Sequence, residues 1–262
     1  MPLTAADLPR TAALVPRLEC TPRTGSTNAD LVAAASADPG EWPHLSMLVT
    51  DDQSAGRGRL GRVWTAPPGT ALAASIVIDA SGVPPSARGW IPLAAGAALT
   101  RAIAPQLAGV HTARLKWPND VLVDGRKISG ILAEGVGGMH RIVVGAGINT
   151  RMSVEELPIE TATSFAALGI TADADALLAD YVDALREHID ALVRAAGDAV
   201  VAGIHAEIES LCDTVGRAVR VILPEAREVI GEAVGIGAEG GLLVRTDVGT
   251  TSLVAGDVVH VR

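Results

Sequence analysis

Short apolar runs and two helical patterns organise the first part of the chain. Residues 45–50 and 71–78 are continuous apolar runs and predict buried strands. A helix is predicted over 26–37, where a serine can cap the first turn, and another over 90–107, which is rich in alanine and leucine. The intervening residues 51–61 are polar and broken by glycines, as is typical of a loop.

The middle of the chain predicts an antiparallel meander. Three apolar segments, at 121–123, 127–134 and 141–145, are separated only by short turns, the first of which is Asp124-Gly125. Asp-Gly is a favoured two-residue hairpin turn, and strands joined by such turns run antiparallel. The pattern therefore argues against a doubly wound nucleotide-binding fold, whose parallel strands require long crossovers.

The last part of the chain changes from helix to strand. Residues 175–195 place their apolar side chains on one face and predict a long amphipathic helix, and residues 200–211 predict a shorter one. Five short strands rich in Val, Ile and Leu then predict a small β-barrel: 218–223, 229–234, 242–245, 251–254 and 258–261. We expect two domains, residues 1–211 and 212–262.

Several common functional motifs are missing or lie in the wrong context. The Gly-x-Gly-x-x-Gly sequence at 235–240 precedes a strand rather than a helix, so we interpret it as a hairpin turn and not a dinucleotide site. The six histidines lack metal-site spacing, and no Gly-x-Ser-x-Gly elbow occurs. The sequence thus gives no support for a histidine metal site or a protein nucleophile.

Composition narrows the functional class. The chain has 262 residues, 48% of them apolar, and a net charge of −9, which disfavours a protein that binds nucleic acid through phosphates. Its longest apolar run, 71–78, is too short to span a membrane, and the first residues lack the order of a signal peptide. Cys20 and Cys212 lie too far apart in sequence to suggest a disulfide framework. We expect a cytoplasmic protein with no nucleic-acid or membrane partner.

Positive charge is nevertheless concentrated in two segments. Residues 51–64 hold three arginines against two aspartates, and residues 114–127 hold four basic residues against two aspartates. In the first, Arg57, Arg59 and Arg62 alternate with glycines, which allow a backbone to approach an anion closely. This indicates a small anionic ligand, the alternatives being a solvated basic loop or an RNA-binding Arg-Gly stretch.

Two further motifs contain residues suited to binding. Lys116-Trp117-Pro118-Asn119-Asp120 could form a turn before a strand or present a cation and a carboxylate to a cleft. Lys127 begins an apolar strand, where it could protect a sheet edge or point into the same cleft. Asn149 follows the third strand of the meander and offers an amide for reading a base or a ureido group.

Five motifs in this order resemble those of the bacterial biotin–protein ligases, also called biotin–[acetyl-CoA-carboxylase] ligases. The resemblance rests on Gly25-Ser26-Thr27-Asn28, Gln53-x-x-Gly56-Arg57-Gly58-Arg59-x-Gly61-Arg62-x-Trp64, Lys116-Trp117-Pro118-Asn119-Asp120, Lys127-Ile128-Ser129-Gly130-Ile131-Leu132-x-Glu134 and Gly145-x-Gly147-Ile148-Asn149. It implies an α+β fold: a catalytic domain like that of class II aminoacyl-tRNA synthetases, with a mixed, mostly antiparallel sheet, and a C-terminal SH3-like β-barrel. Only 24 residues precede Gly25, fewer than the ~40 of a free-standing domain, so we expect the short form without an N-terminal DNA-binding domain.

The resemblance also implies a reaction and a site. Biotin and ATP would form biotinyl-5′-adenylate with Mg²⁺, and the biotinyl group would pass to a lysine of a biotin carboxyl carrier protein. Catalytic roles fall on Arg59, Lys127, Lys116 and Asp120, with Asp120 also the metal ligand. The implied biotin-binding residues are Ser26, Thr27, Asn28, Gln53, Gly56, Arg57, Gly58, Arg59 and Lys127. The implied ATP or adenylate-binding residues are Arg57, Arg59, Trp64, Lys116, Asn119, Lys127 and Asn149, with a loop within 151–165 near adenine.

Other functions remain open from the sequence. A lipoate–protein ligase performs the same adenylate chemistry on a related fold. A non-catalytic biotin-responsive regulator would need a DNA-binding module, and an RNA-binding protein would need salt-sensitive binding by an acidic chain. We expect a monomer or a weak homodimer.

Overall fold

The computed structural model describes residues 2–138, 140–224 and 227–261, which form five α-helices and fourteen strands. The helices are α1 (Pro9–Leu14), α2 (Thr27–Ala37), α3 (Trp90–Ile103), α4 (Ala174–Arg194) and α5 (Ile204–Leu211). The strands are β1 (Leu18–Cys20), β2 (Met47–Thr50), β3 (Gly56–Arg57), β4 (Val63–Trp64), β5 (Ala71–Asp79), β6 (Ala113–Lys116), β7 (Asp120–Val123), β8 (Arg126–Val136), β9 (Arg141–Asn149), β10 (Ala218–Ile222), β11 (Glu228–Ile236), β12 (Leu242–Thr246), β13 (Gly249–Leu253) and β14 (Asp257–His260).

The larger sheet has seven strands in the order β1-β2-β5-β9-β8-β7-β6. Only β1 and β2 run parallel, and the predicted meander is confirmed as β7-β8-β9. Its first turn places Asp124 and Gly125 at φ values of 49° and 77°, which is the backbone of a type I′ hairpin. The predicted mixed, mostly antiparallel sheet of an α+β fold is therefore confirmed.

Helices cover both faces of this sheet because its central strands are apolar on both sides. On one face, Ile76 and Val144 join the main core with α3 and α4. On the other, Val77 and Val143 pack against α2 through Leu31. Since alternate residues of a strand point to opposite faces, this packing fixes which side chains of β5, β8 and β9 lie on the α2 side.

The smaller sheet is entirely antiparallel, in the order β13-β12-β11-β10-β14, and the turn at 237–240 joins β11 to β12 as predicted. Two buried tryptophans from the part of the chain that forms the larger sheet donate hydrogen bonds to the smaller sheet's β11–β12 turn. Trp90 Nε1 donates a hydrogen bond of 2.8 Å to the Ala238 carbonyl, and Trp117 Nε1 donates one of 3.0 Å to the Gly240 carbonyl. The aromatic of the 116–120 motif thus belongs to the joint between the two sheets.

Several element boundaries differ from those predicted. The helix predicted over 200–211 begins only at Ile204, because Asp198 caps the amides of Val200 and Val201 in a turn and Gly203 has a φ of 78°. The helix predicted over 90–107 ends at Ile103, and a 3-10 turn containing a proline follows it. In the described residues no helix is long and apolar enough to cross a membrane.

Candidate active site

Small residues leave a hollow on the α2 face of the larger sheet. The small residues of β5, β8 and β9 on this face include Ala73, Ser75, Gly130, Gly145 and Gly147. A Cβ atom at Gly145 would lie 2.1 Å from Asn28 Oδ1, and one at Gly147 would lie 2.7 Å from the Trp64 ring. The glycines therefore let two side chains lie directly on the sheet backbone.

A cavity of about 330 Å³ occupies this hollow, a volume within the range of small-molecule sites. It extends from the start of α2, beneath the 53–65 loop, to β8 and the segment 158–162. Twelve of the residues suggested by the sequence line it: Ser26, Thr27, Asn28, Gln53, Arg57, Gly58, Arg59, Trp64, Asn119, Asp120, Lys127 and Asn149. Positions far apart in sequence thus converge on one cleft.

Gly56 and Lys116 are the two suggested residues that do not line the cavity. Gly56 belongs to the β3–β4 ribbon and pairs with Trp64, so that an added Cβ would be 2.5 Å from the Trp64 carbonyl oxygen. Lys116 ends β6 and is half-buried, and this burial lowers the pKa of its ammonium group. Gly56 therefore lets the two strands of the ribbon lie close together, while Lys116 is paired with Asp120 across β6 and β7 and lies beside the cleft, where Asp120 and Asp257 supply negative charge and Lys127 and Arg62 positive charge.

A hydrogen-bond network organises the end of the cavity at α2. Ser26 caps α2 by accepting a bond from the Ala29 amide. The Thr27 amide donates to Gln53 Oε1 at 2.9 Å, and the Ser75 hydroxyl lies 2.8 Å from Thr27 Oγ1. Sequence reasoning missed Ser75, although a serine in the apolar run 71–78 is the signal that could have found it.

Asn28 is held by the protein rather than left free for a ligand. Its Nδ2 donates to the Leu132 carbonyl at 3.0 Å and to Glu134 Oε2 at 2.9 Å. Its Oδ1 lies 2.6 Å from the Ser75 hydroxyl. Both amide hydrogens and one oxygen lone pair are therefore engaged, so Asn28 fixes the wall of the cavity, and only the second lone pair of Oδ1 remains for the biotin contact that the resemblance implies.

The glycine-rich loop, residues 56–62, contacts both the 116–120 motif and the smaller sheet. Arg59 Nη1 donates to Asn119 Oδ1 at 3.0 Å and lies 3.4 Å from the Gly256 carbonyl oxygen. Arg62 forms an ion pair with Asp257, which also lines the cavity. The smaller sheet therefore contributes to the cleft, a participation that no motif in residues 212–262 indicated.

Carboxylates neutralise some of the cations around the cleft. Arg57 pairs with Glu134 at 3.0 Å, and Lys127 pairs with Asp120 at 2.6 Å. No carboxylate among the described residues forms a salt bridge with Arg59, and burial lowers the pKa of its guanidinium group. Arg59 is thus a half-buried cation whose side chain, within the described residues, hydrogen-bonds only to neutral oxygens, an arrangement suited to an incoming anion.

The end of the cleft opposite α2 is built around Asn149. Its Nδ2 donates to the Thr163 carbonyl at 2.9 Å, and Pro158, Ile159 and Ala162 form an apolar wall beside it. Two backbone bonds of 2.7 and 2.8 Å, made by Lys127 with residues 161 and 163, hold that wall against β8. These residues identify the part of 151–165 that reaches the cavity.

The model of the Biotin/lipoate A/B protein ligase family matches residues 21–149, and that of the Biotin protein ligase C terminal domain matches residues 214–261. The chain is 39% identical over 250 residues to the biotin--[acetyl-CoA-carboxylase] ligase of Mycobacterium tuberculosis, covering 94% of this chain and 90% of that protein. It is 32% identical to the bifunctional ligase/repressor BirA of Escherichia coli, over 79% of this chain and 64% of that one.

A solved structure gives the same relationship. The biotin protein ligase of Aquifex aeolicus, in complex with biotin and ATP, superposes with a TM-score of 0.76 at 26% identity. The match covers 94% of this chain and 99% of that chain. Both sheets of the present chain therefore have their counterpart in a protein that was solved with two ligands.

Proposed function

The chain belongs to the biotin–protein ligase family, and we propose that its cleft holds biotin and ATP side by side, joins them as biotinyl-5′-adenylate and then transfers the biotinyl group. The chain is thus an ATP-dependent ligase acting on the biotin carrier of acetyl-CoA carboxylase. The predicted family, fold and enzyme class are confirmed by its relatives.

One observation carries the proposal. Arg59 and Lys127 come from a loop and a strand separated by more than sixty positions in sequence, yet both line one cavity. The cavity has a hydroxyl-rich end at α2 and an apolar wall beside Asn149 at its other end. This arrangement supports a cleft in which fixed positive charge would lie between a site for a polar ring and a site for a purine.

The first step brings together two anions that repel each other. A carboxylate oxygen of biotin attacks the α-phosphorus of ATP, the bond to the β-phosphate bridge breaks, and pyrophosphate leaves with the electron pair. Arg59 and Lys127 would stabilise the charge that develops on the phosphoryl oxygens, and Lys116 would add positive charge from beside the cleft. These groups are already in place, so little reorganisation is needed as the charge forms.

The second step uses the same cavity. The uncharged amine of the carrier lysine attacks the acyl carbon, an amide bond forms, and the acyl–oxygen bond breaks so that AMP leaves with the electron pair. Arg59 would then stabilise the departing phosphate. The amine loses its proton to solvent, because the described contacts identify no dedicated base.

The two ends of the cleft suggest which substrate each one binds. We assign the ureido ring of biotin to Ser26, Thr27 and Gln53, whose polar groups surround the α2 end. Adenine is assigned to Asn149 and the wall of Pro158 and Ile159, with the Trp64 ring forming the roof between the two.

Magnesium fits this cleft only together with the nucleotide. The described residues contain no group of three or more His, Cys, Asp or Glu side chains that could hold a metal. Mg²⁺ bound through substrate phosphates typically takes one or two carboxylates, and Asp120 lines the cavity with one. We propose that Asp120 exchanges part of its pairing with Lys127 for the ion, which would neutralise charge on the β- and γ-phosphates.

We also propose that the division between the two domains lies near residue 212. The last helix of the larger unit ends at Leu211, and the match to the C-terminal domain begins at residue 214. Residues 1–211 would supply the substrate cavity, and residues 212–262 would supply Gly256 and Asp257 at its margin.

A single assay tests the function. The purified chain is incubated with biotin, Mg-ATP and an apo carrier domain, and the carrier mass is followed while pyrophosphate is measured. We expect the mass to increase by one biotinyl group, with pyrophosphate released even without carrier. Replacing biotin with lipoate should give no product. Modification by lipoate alone would instead assign the chain to the lipoate ligases of the same family.

A further inference from the structure

Glu134 lies at the α2 end of the cleft and has no role in the proposed reaction. Its side chain is on the α2 face of β8, and its Oε2 accepts hydrogen bonds from Asn28 at 2.9 Å and from Arg57 at 3.0 Å. The side chain is 28% exposed, so the carboxylate is partly shielded from water. Glu134 Oε2 thus connects Asn28 of α2 to Arg57 at the start of the glycine-rich loop.

The Asn28 side of this junction is rigid. Its amide also contacts the Leu132 carbonyl and the Ser75 hydroxyl, and it lies so close to Gly145 that even a methyl group there would overlap it. An amide held by three groups and a backbone wall has one available orientation. Glu134 is therefore fixed relative to the larger sheet.

The Arg57 side of this junction belongs to the glycine-rich loop. Arg57 belongs to the short β3–β4 ribbon, in which Gly56 pairs with Trp64 and Arg57 pairs with Val63. The Arg57 side chain is 45% exposed. Apart from this ribbon and the arginine contacts, the described hydrogen bonds of the 56–62 loop lie within the loop itself. Because Arg57 is paired with Glu134, part of its charge is directed to the larger sheet.

We propose that Glu134 is a positioning residue that anchors the glycine-rich loop over the cleft by holding Arg57 against the fixed Asn28 amide. This rests on the proposed function and adds a division of labour among the loop arginines: Arg57 holds the loop, and Arg59 meets the anion. A loop anchored at its root retains the reactive adenylate and excludes water, so loss of the anchor should increase leakage more than it slows adenylate formation.

The test uses Glu134→Gln, Arg57→Gln and the double variant in the full chain. Glutamine keeps an oxygen for Asn28 but removes the charge that holds Arg57. Preformed adenylate is trapped on each protein without carrier, and its rate of release and hydrolysis is measured together with the rate of pyrophosphate formation. Glu232→Gln and Arg245→Gln are the matched control, an exposed pair of the smaller sheet with an oxygen–nitrogen distance of 2.7 Å.

We expect each single variant to raise adenylate loss about threefold to tenfold, with a much smaller change in adenylate formation. The double variant should lose adenylate no faster than either single one, since both changes remove the same contact. The control pair should behave like the wild type.

Additive effects, or adenylate loss at the wild-type rate in Arg57→Gln, would overturn the proposal, even if Glu134→Gln proved unstable. A lower melting temperature with unchanged leakage would also overturn it, because Glu134 would then be only structural. Failure of the proposed function looks different: the wild-type protein itself would form no adenylate.

Discussion

Arg59 donates a hydrogen bond of 3.0 Å to the side chain of Asn119, so the glycine-rich loop directly contacts the 116–120 motif. Asn119 in turn donates to the Ile131 carbonyl at 2.7 Å, and the Ile131 amide donates back to the Asn119 carbonyl at 2.8 Å. Asn119 is therefore held by β8, and it sets the position of the one loop arginine that carries no carboxylate partner among the described residues.

Arg59→Ala should reduce catalysis without disturbing the fold. Within the described residues, the Arg59 side chain hydrogen-bonds only to Asn119 and to the Gly256 carbonyl, whereas it would stabilise developing charge on the phosphoryl group. Removing one such preorganised donor typically costs about 10²–10³ in rate. Pyrophosphate release with saturating biotin and ATP measures the loss.

Arg245→Ala provides the control, since Arg245 is an exposed arginine of β12 distant from the cleft. Its rate should equal that of the wild type. Adenylate formation by Arg59→Ala at the wild-type rate would show that fixed charge from this side chain is not required.

Gly145→Ala should weaken biotin binding selectively. The added methyl group would lie 2.1 Å from Asn28 Oδ1, so Asn28 must move and release Ser75 or Glu134. Because these contacts shape only the α2 end, calorimetry should show biotin affinity reduced about tenfold or more, with ATP affinity changed less.

The matched change is Gly40→Ala, where the new Cβ would make an ordinary contact of 3.5 Å with Asp38. It should leave both affinities unchanged. If Gly145→Ala weakened biotin and ATP binding equally, the hollow beneath Asn28 would not belong to one substrate.

Most elements that surround the site could be predicted from local sequence. The Asp124-Gly125 turn fixed the β7–β8 hairpin, and the capping serine located the start of α2, because both signals act within a few residues. The strand β6 was missed, since its four residues alternate between buried and exposed and have no turn signal of their own.

The contacts between motifs were harder to predict. Glu134 forms a salt bridge with Arg57, and Asp257 forms one with Arg62. Both pairs depend on distances across the fold rather than on spacing in the chain. The motifs identified the cations around the cleft, but which of them a protein carboxylate already neutralises is settled only by tertiary packing.

Trp117→Phe should loosen the joint between the two sheets. Trp117 is 1% exposed and packs with the smaller sheet, and its Nε1 donates the bond to the Gly240 carbonyl. Phenylalanine would lose that bond, leave the carbonyl unpaired and vacate part of the ring volume, at a cost of about 2–4 kcal/mol in unfolding free energy. Urea denaturation followed by fluorescence measures this change.

Trp64→Phe is the informative comparison, because the half-buried Trp64 lies on Gly147 in the cleft and Trp64 Nε1 has no hydrogen-bond partner within the described part of the chain. It should alter ligand affinity and leave the unfolding free energy within about 1 kcal/mol. Equal destabilisation by both variants would argue that Trp117 has no special part in the joint.

Lys116 should set the alkaline limit of adenylate formation. Burial lowers the pKa of its ammonium group, an effect that the charge of Asp120 partly offsets. As the pH rises through this lowered pKa, the positive charge of Lys116 beside the cleft is lost, so kcat/KM for ATP should fall at a lower pH than an ordinary lysine would give. Lys116→Arg keeps its charge at every accessible pH and should move the decline to higher pH, even if its activity at neutral pH is reduced. Lys116→Met should lower the plateau and abolish this titration. Coincident alkaline limbs for the wild type and Lys116→Arg would mean that another group controls the limit, and that Lys116 has only a structural role beside the cleft.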